Sequence, residues 1–190
     1  MNYRIKIILL GDSSVGKTCL LKRYINNEFR ETPSTIGVDF VNKQVEINSE
    51  AIDVRIWDTA GQEKYSSLIQ TYFVSTDGAI IVFDLTSRQS YENAQSWIDK
   101  LVDMLTYSPA MILVGNKCDL SDQREILVDE AINLAKRNNI QYIETSALTG
   151  ANVKELFNQI ESDSYANKKK RGSQNGDDLE KISKDTNGCC

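Results

Sequence analysis

The chain has 190 residues, 22 basic against 27 acidic, a net charge of −5 and no histidine. That length suits one domain with a full core, and the missing histidine excludes Ser-His, Cys-His and His-metal chemistry. An acidic body argues against nucleic-acid binding, no apolar run approaches the ~18 residues of a membrane span, and four cysteines at 19, 118, 189 and 190 show no metal or disulfide spacing.

The apolar run 3–10 reads as a strand and leads directly into Gly11-Asp12-Ser13-Ser14-Val15-Gly16-Lys17-Thr18. A helix over 17–26 follows, with Leu20, Leu21 and Tyr24 at helical spacing. G-x-x-x-x-G-K-[ST] between a strand and a helix is a phosphate-binding loop. Its glycines let successive N–H groups turn inward, and the helix start adds the positive end of a dipole. Lys17 is expected on the β- and γ-phosphates and the Thr18 hydroxyl on Mg²⁺. A nucleoside triphosphate is therefore the expected ligand.

Residues 27–37 are polar, contain Pro33 and read as a mobile switch loop. Phe40, Val45 and Ile47 with the run 51–57 flank Asn48-Ser49-Glu50 and predict an antiparallel hairpin. The second arm ends in Trp57-Asp58-Thr59-Ala60-Gly61-Gln62-Glu63. An acid at that strand end suits Mg²⁺ through water, as in a Walker-B motif. The Gly61 N–H is placed to meet a γ-phosphate, and Gln62 to orient the attacking water.

A buried strand is predicted at 78–85 and a helix at 91–105, with Ala94, Trp97, Ile98, Leu101 and Leu105 on one face. The strand 111–114 exits into Asn116-Lys117-Cys118-Asp119. The Asp119 carboxylate accepts two parallel hydrogen bonds, which guanine supplies from N1–H and its amine and adenine does not. The Lys117 stem covers a base face, and Asn116 braces the loop. Helix 128–137 and strand 141–144 lead to Glu144-Thr145-Ser146-Ala147-Leu148, where a backbone N–H of Ser146 or Ala147 can meet guanine O6. A last helix starts near Asn152, with Asn152 and Glu155 as a capping-box-like pair and Val153, Leu156, Phe157 and Ile160 as its apolar stripe. Alternating strands and helices predict an α/β P-loop NTPase fold. It is a doubly wound, mostly parallel six-stranded sheet with one antiparallel edge strand, helices on both faces, and every motif at a carboxyl end.

With these motifs in this order, the chain resembles a Ras-superfamily small GTPase of the Rab branch over roughly residues 3–165. Ile36-Gly37-Val38-Asp39-Phe40, the Val54-Arg55-Ile56-Trp57 lead and the terminal cysteines carry the branch. The resemblance implies GTP/GDP contacts from Ser13, Ser14, Val15, Gly16, Lys17, Thr18 and Cys19, from Phe29, Thr35 and Gly61, and from the two base motifs. It implies Mg²⁺ ligation by Thr18, Thr35 and Asp58, and slow hydrolysis through Gln62, Lys17 and Thr35. Phe40, Trp57 and Tyr72 correspond to an effector-facing aromatic triad. The segment between Thr18 and Thr35 is one residue short for this branch, and Phe73-Val74-Ser75-Thr76-Asp77 replaces its usual Tyr-Arg-Gly-Ala run.

The domain is expected to end at 166, with 167–190 a disordered tail. Cys189-Cys190 resembles a doubly prenylated terminus, since two lipids are what stable anchoring takes, and 168–171 adds basic attraction to an anionic surface. The implied setting is the cytoplasmic face of an intracellular or plasma membrane, with a cytosolic pool. The implied partners are an exchange factor, a GTPase-activating protein, a GDP-dissociation inhibitor or escort protein, a prenyltransferase and effector proteins. Two alternatives stand beside this reading: a GTP-dependent binding module with negligible hydrolysis, and a phosphotransferase, in which N-K-x-D would be idle.

Overall fold

The computed structural model describes residues 3–30, 38–59 and 72–185, by backbone alone at 38 and from 173 on. Among these residues the order is β1 (Tyr3–Leu10), α1 (Lys17–Asn26), β2 (Val38–Ile47), β3 (Glu50–Thr59), β4 (Gly78–Asp84), α2 (Arg88–Met104), β5 (Ala110–Asn116), α3 (Val128–Arg137), β6 (Gln141–Glu144) and α4 (Val153–Asp185). The strands form one sheet in the order β2-β3-β1-β4-β5-β6. Only β2 runs antiparallel, paired with β3 so that Phe40 faces Trp57. The expected fold class is the observed one.

Strand alternation divides the core between the two faces of the sheet. Ile5, Ile7 and Leu9 of β1 pack with Ile80, Val82, Ile112 and Val114 towards α1 and α4. Ile8 and Leu10 point the other way, with Ala79, Ile81, Phe83 and Leu113, towards α2 and α3. Buried on both faces, β4, most of β5 and the last four residues of β1 read as continuous runs with little polar interruption. Truncating one central side chain such as Leu9 to alanine costs about 2–5 kcal/mol. This packing fixes the carboxyl ends of β1, β3, β4, β5 and β6 along a single edge.

Two local expectations shift. α2 begins at Arg88, a turn before residue 91, because Ser87 in extended backbone caps it by accepting from the Ser90 N–H. Asn152 is not part of a capping box: it sits at φ 56° and its side-chain amide donates to the Glu144 carbonyl at 2.8 Å.

The last helix continues past residue 166: α4 runs through Asp185, and its basic run meets the body. Lys168 Nζ bonds Asp77 Oδ2 at 2.9 Å, and the Arg171 guanidinium pairs with Asp77 Oδ1 while stacking on Tyr107 at 4.0 Å. Lys169 bonds Glu50 at 2.9 Å. Asp77 is buried at the amino end of β4 and also accepts the Lys6 N–H at 3.0 Å. Three of the four basic residues that were expected to face a membrane are therefore engaged by the body, at the sheet edge opposite the motifs.

Candidate functional site

At the end of β1 the chain turns through Gly11 and Gly16. Gly16 holds φ 99°, and a Cβ there would stand 2.3 Å from the Asn116 amide, so only glycine fits. The turn starts α1 and closes over Lys17, whose ammonium donates to the carbonyls of Gly11 at 2.8 Å and Asp12 at 2.6 Å. Burial pushes the Lys17 pKa down to about 8, against the pull of the Asp58 and Asp12 charges. A buried cation whose hydrogen-bond partners among the described residues are loop carbonyls is set to receive an anion. Ser13 and Ser14 are exposed around it and Val15 is buried. Cys19 and Phe29 are half-buried, with Cys19 Sγ 3.6 Å from the Arg30 carbonyl.

Beside Lys17, the Thr18 hydroxyl donates to Asp58 Oδ2 at 2.5 Å, joining α1 to the end of β3. Burial raises the Asp58 carboxyl above the usual carboxylate range, against the Thr18 bond and the Lys17 charge. Asp58 Oδ1 is buried and meets no donor among the described residues. An orphaned buried carboxylate oxygen next to a hydroxyl oxygen fits a hard divalent cation. Among the described residues no group of three or more acids, cysteines or histidines gathers to hold a metal ion. A cation here would draw the rest of its shell from phosphate oxygens and water, as Mg²⁺ prefers.

The base motif lies at the end of β5. Asn116, 1% exposed, donates to the Val15 carbonyl at 2.8 Å and accepts from the Thr145 hydroxyl at 3.2 Å and the Ala147 N–H at 3.3 Å. One amide thereby joins the phosphate loop, β5 and the segment after β6. Lys117 sits at φ 66° and its ammonium bonds Asp84 at 2.5 Å, which lays its stem along the edge of the site. Asp119 is half-buried on the same loop. The Ser146 N–H donates to the Ala151 carbonyl at 3.1 Å, so only Ala147 holds an N–H on a long, weak bond that a ligand can replace.

Sequence reasoning missed Arg23. It donates from Nε to the Ala147 carbonyl at 2.8 Å and from the terminal guanidinium to the Leu148 carbonyl at 2.6 Å. A planar fork on two successive carbonyls fixes the loop that carries the Ala147 N–H. A basic residue in the last turn of α1 is the only local signal, and it also fits an ordinary helix end.

Phe40, Trp57 and Tyr72 do come together. Their rings are 4.9 Å apart from Phe40 to Trp57 and 5.3 Å from Trp57 to Tyr72. Arg55 lies over Phe40 at 4.9 Å, and Lys6 over Trp57 at 5.1 Å. Thr35, Gly61, Gln62, Cys189 and Cys190 lie outside the described residues.

A profile of the Ras family matches residues 6–166. The chain is 42% identical over 156 residues to the Ras-related protein Rab-4 of Dictyostelium discoideum, covering 82% of this chain and 76% of that protein. It is 43% identical over 164 residues to the Ras-related protein Rab-11C of the same organism, covering 86% of this chain and 73% of that protein. A Ras-family match over most of the chain, and Rab relatives across the same span, place it in a family of small GTPases: the chain belongs to the Ras family, in its Rab branch.

Proposed function

We propose that this GTPase binds GTP and GDP with Mg²⁺ and acts as a membrane-anchored switch in vesicle trafficking. The observation that carries the reading is the meeting of Thr18 with Asp58 beside Lys17, with Asp58 Oδ1 left open. Lys17 and the loop N–H groups hold the phosphates, and Thr18 and Asp58 hold the cation, with Thr35 as its further ligand. Held by these residues, Mg²⁺ would supply positive charge to offset what develops on the phosphates during transfer. Asp119 accepts the guanine N1–H and amine, the Lys117 stem covers the base, Phe29 closes its other side, and the Ala147 N–H meets O6.

Gln62 orients the attacking water. No described arginine sits at the phosphate loop, so turnover is slow until a GTPase-activating protein supplies positive charge. Thr35 and Gly61 sense the γ-phosphate, and Phe40, Trp57 and Tyr72 present the nucleotide state to effectors. An exchange factor resets the switch. Cys189 and Cys190 take prenyl groups from a prenyltransferase, and a GDP-dissociation inhibitor or escort protein shields them in the cytosol. No helix of the described residues is long and apolar enough to cross a membrane.

The test is GDP release followed by fluorescence with Mg²⁺ and with a chelator. Chelation should speed release from the parent, and Asp58→Ala should abolish that difference. An undiminished Mg²⁺ effect in Asp58→Ala would remove Asp58 from the cation site.

A further inference from the structure

We propose that Asp12 is a positioning residue for the β-phosphate, held in place by Asn93 and Trp97 of α2. The inference rests on the guanine-nucleotide reading above and adds residues that reading does not use. An acid inside a phosphate-binding loop is unfavourable on charge grounds unless its carboxylate is engaged elsewhere. Here it is: Asp12 Oδ1 accepts the Trp97 indole N–H at 2.8 Å and Oδ2 accepts the Asn93 amide at 2.7 Å.

Both donors come from one face of α2, four residues apart, and both bonds run to a charged acceptor, which makes them stronger than neutral pairs. Trp97 is itself fixed, 4% exposed in the core between α2, α3 and the sheet. The backbone of Asp12 does the work at the site, because its carbonyl takes the Lys17 ammonium at 2.6 Å and the neighbouring Gly11 carbonyl takes it at 2.8 Å.

The loop is therefore tied at two points: Val15 by Asn116 from β5, and Asp12 by α2. Releasing the second tie lets the first half of the loop turn, and Lys17 loses the carbonyls that aim it. The consequence is specific, since Lys17 serves the β-phosphate and not the base or ribose.

The experiment measures Kd for GDP and for GMP, with Mg²⁺, by competition on the full chain carrying Asp12→Ala or Trp97→Phe. Trp97→Phe keeps an aromatic ring in the core while removing the N–H donor and part of the indole's bulk, and the GMP measurement separates that packing loss from the loss of the bond. GDP should weaken about tenfold in Asp12→Ala and several-fold in Trp97→Phe, with GMP within about twofold of the parent. Unchanged GDP binding in both variants overturns the inference. So does an equal loss for GDP and GMP, which marks a general effect on the fold. A parent chain that binds no GDP overturns the underlying nucleotide reading instead.

Discussion

Asn116 Nδ2 donates to the Val15 carbonyl at 2.8 Å, tying the base motif to the phosphate loop through one buried amide. The same side chain accepts from Thr145 and Ala147, so three segments far apart in sequence share one residue. Asn116→Ala removes all three bonds and leaves the Val15 carbonyl without its donor. GDP and GTP affinity should fall together by roughly 10- to 100-fold, and stability by about 1–3 kcal/mol. Equilibrium binding and urea titration check both, and wild-type affinity in the variant would show that the bond only fills space.

Glu161 gives a pH dependence with a defined sign. It is buried on α4, accepts the Tyr24 hydroxyl at 2.7 Å, and lies near Lys43, whose ammonium sits 3.6 Å over the Tyr24 ring. Burial raises its pKa above the ordinary 4.5, against the Tyr24 bond and the Lys43 charge. A raised folded-state pKa means that the folded chain binds more protons than the unfolded one. Its stabilisation is complete below the ordinary Glu value and is lost as pH rises through the raised one. Glu161→Gln keeps an oxygen for Tyr24 without the charge, so it should melt above the parent at pH 7.5, the gap closing towards pH 4.5. Thermal melts at the two pH values decide it. A variant that melts lower at neutral pH contradicts the sign.

Much of this architecture was legible because apolar runs and turn residues are local. The end of β1, β4 and most of β5 are buried on both faces and read as apolar stretches, and the phosphate loop and the N-K-x-D segment follow β1 and β5 directly. The pairings that complete the site are not local. Arg23 meets Ala147 across 124 positions, and Asn93 meets Asp12 across 81; neither leaves a pattern in its own neighbourhood. The contacts of the basic run in α4 are equally non-local. Lys168 to Arg171 look solvated until Asp77, noted only as a departure from the family pattern, is seen buried beneath them.

That docking is itself testable. Arg171→Ala removes one of two cations from a buried carboxylate. Because the Arg171 side chain keeps about a quarter of its exposure, the loss should stay below that of a fully buried pair, roughly 1–3 kcal/mol. Hydrogen exchange over 166–172 should accelerate in the same variant. Unchanged protection there would mean that Arg171 does not hold the helix to the body.

Gln62→Leu separates binding from chemistry. On the proposed function, the amide assigned to orienting water is lost while every loop contact described above remains. Single-turnover hydrolysis should drop by at least about tenfold with GTP affinity within about twofold of the parent. Equal rates in the two proteins would take Gln62 out of the mechanism.

The central claim is guanine recognition by a GTPase, and chromatography of the nucleotide released on denaturing the purified protein tests it most directly. The account predicts GDP, held through Asp119, Ala147 and the phosphate loop after bound GTP has been turned over. An adenine nucleotide in that fraction would contradict it.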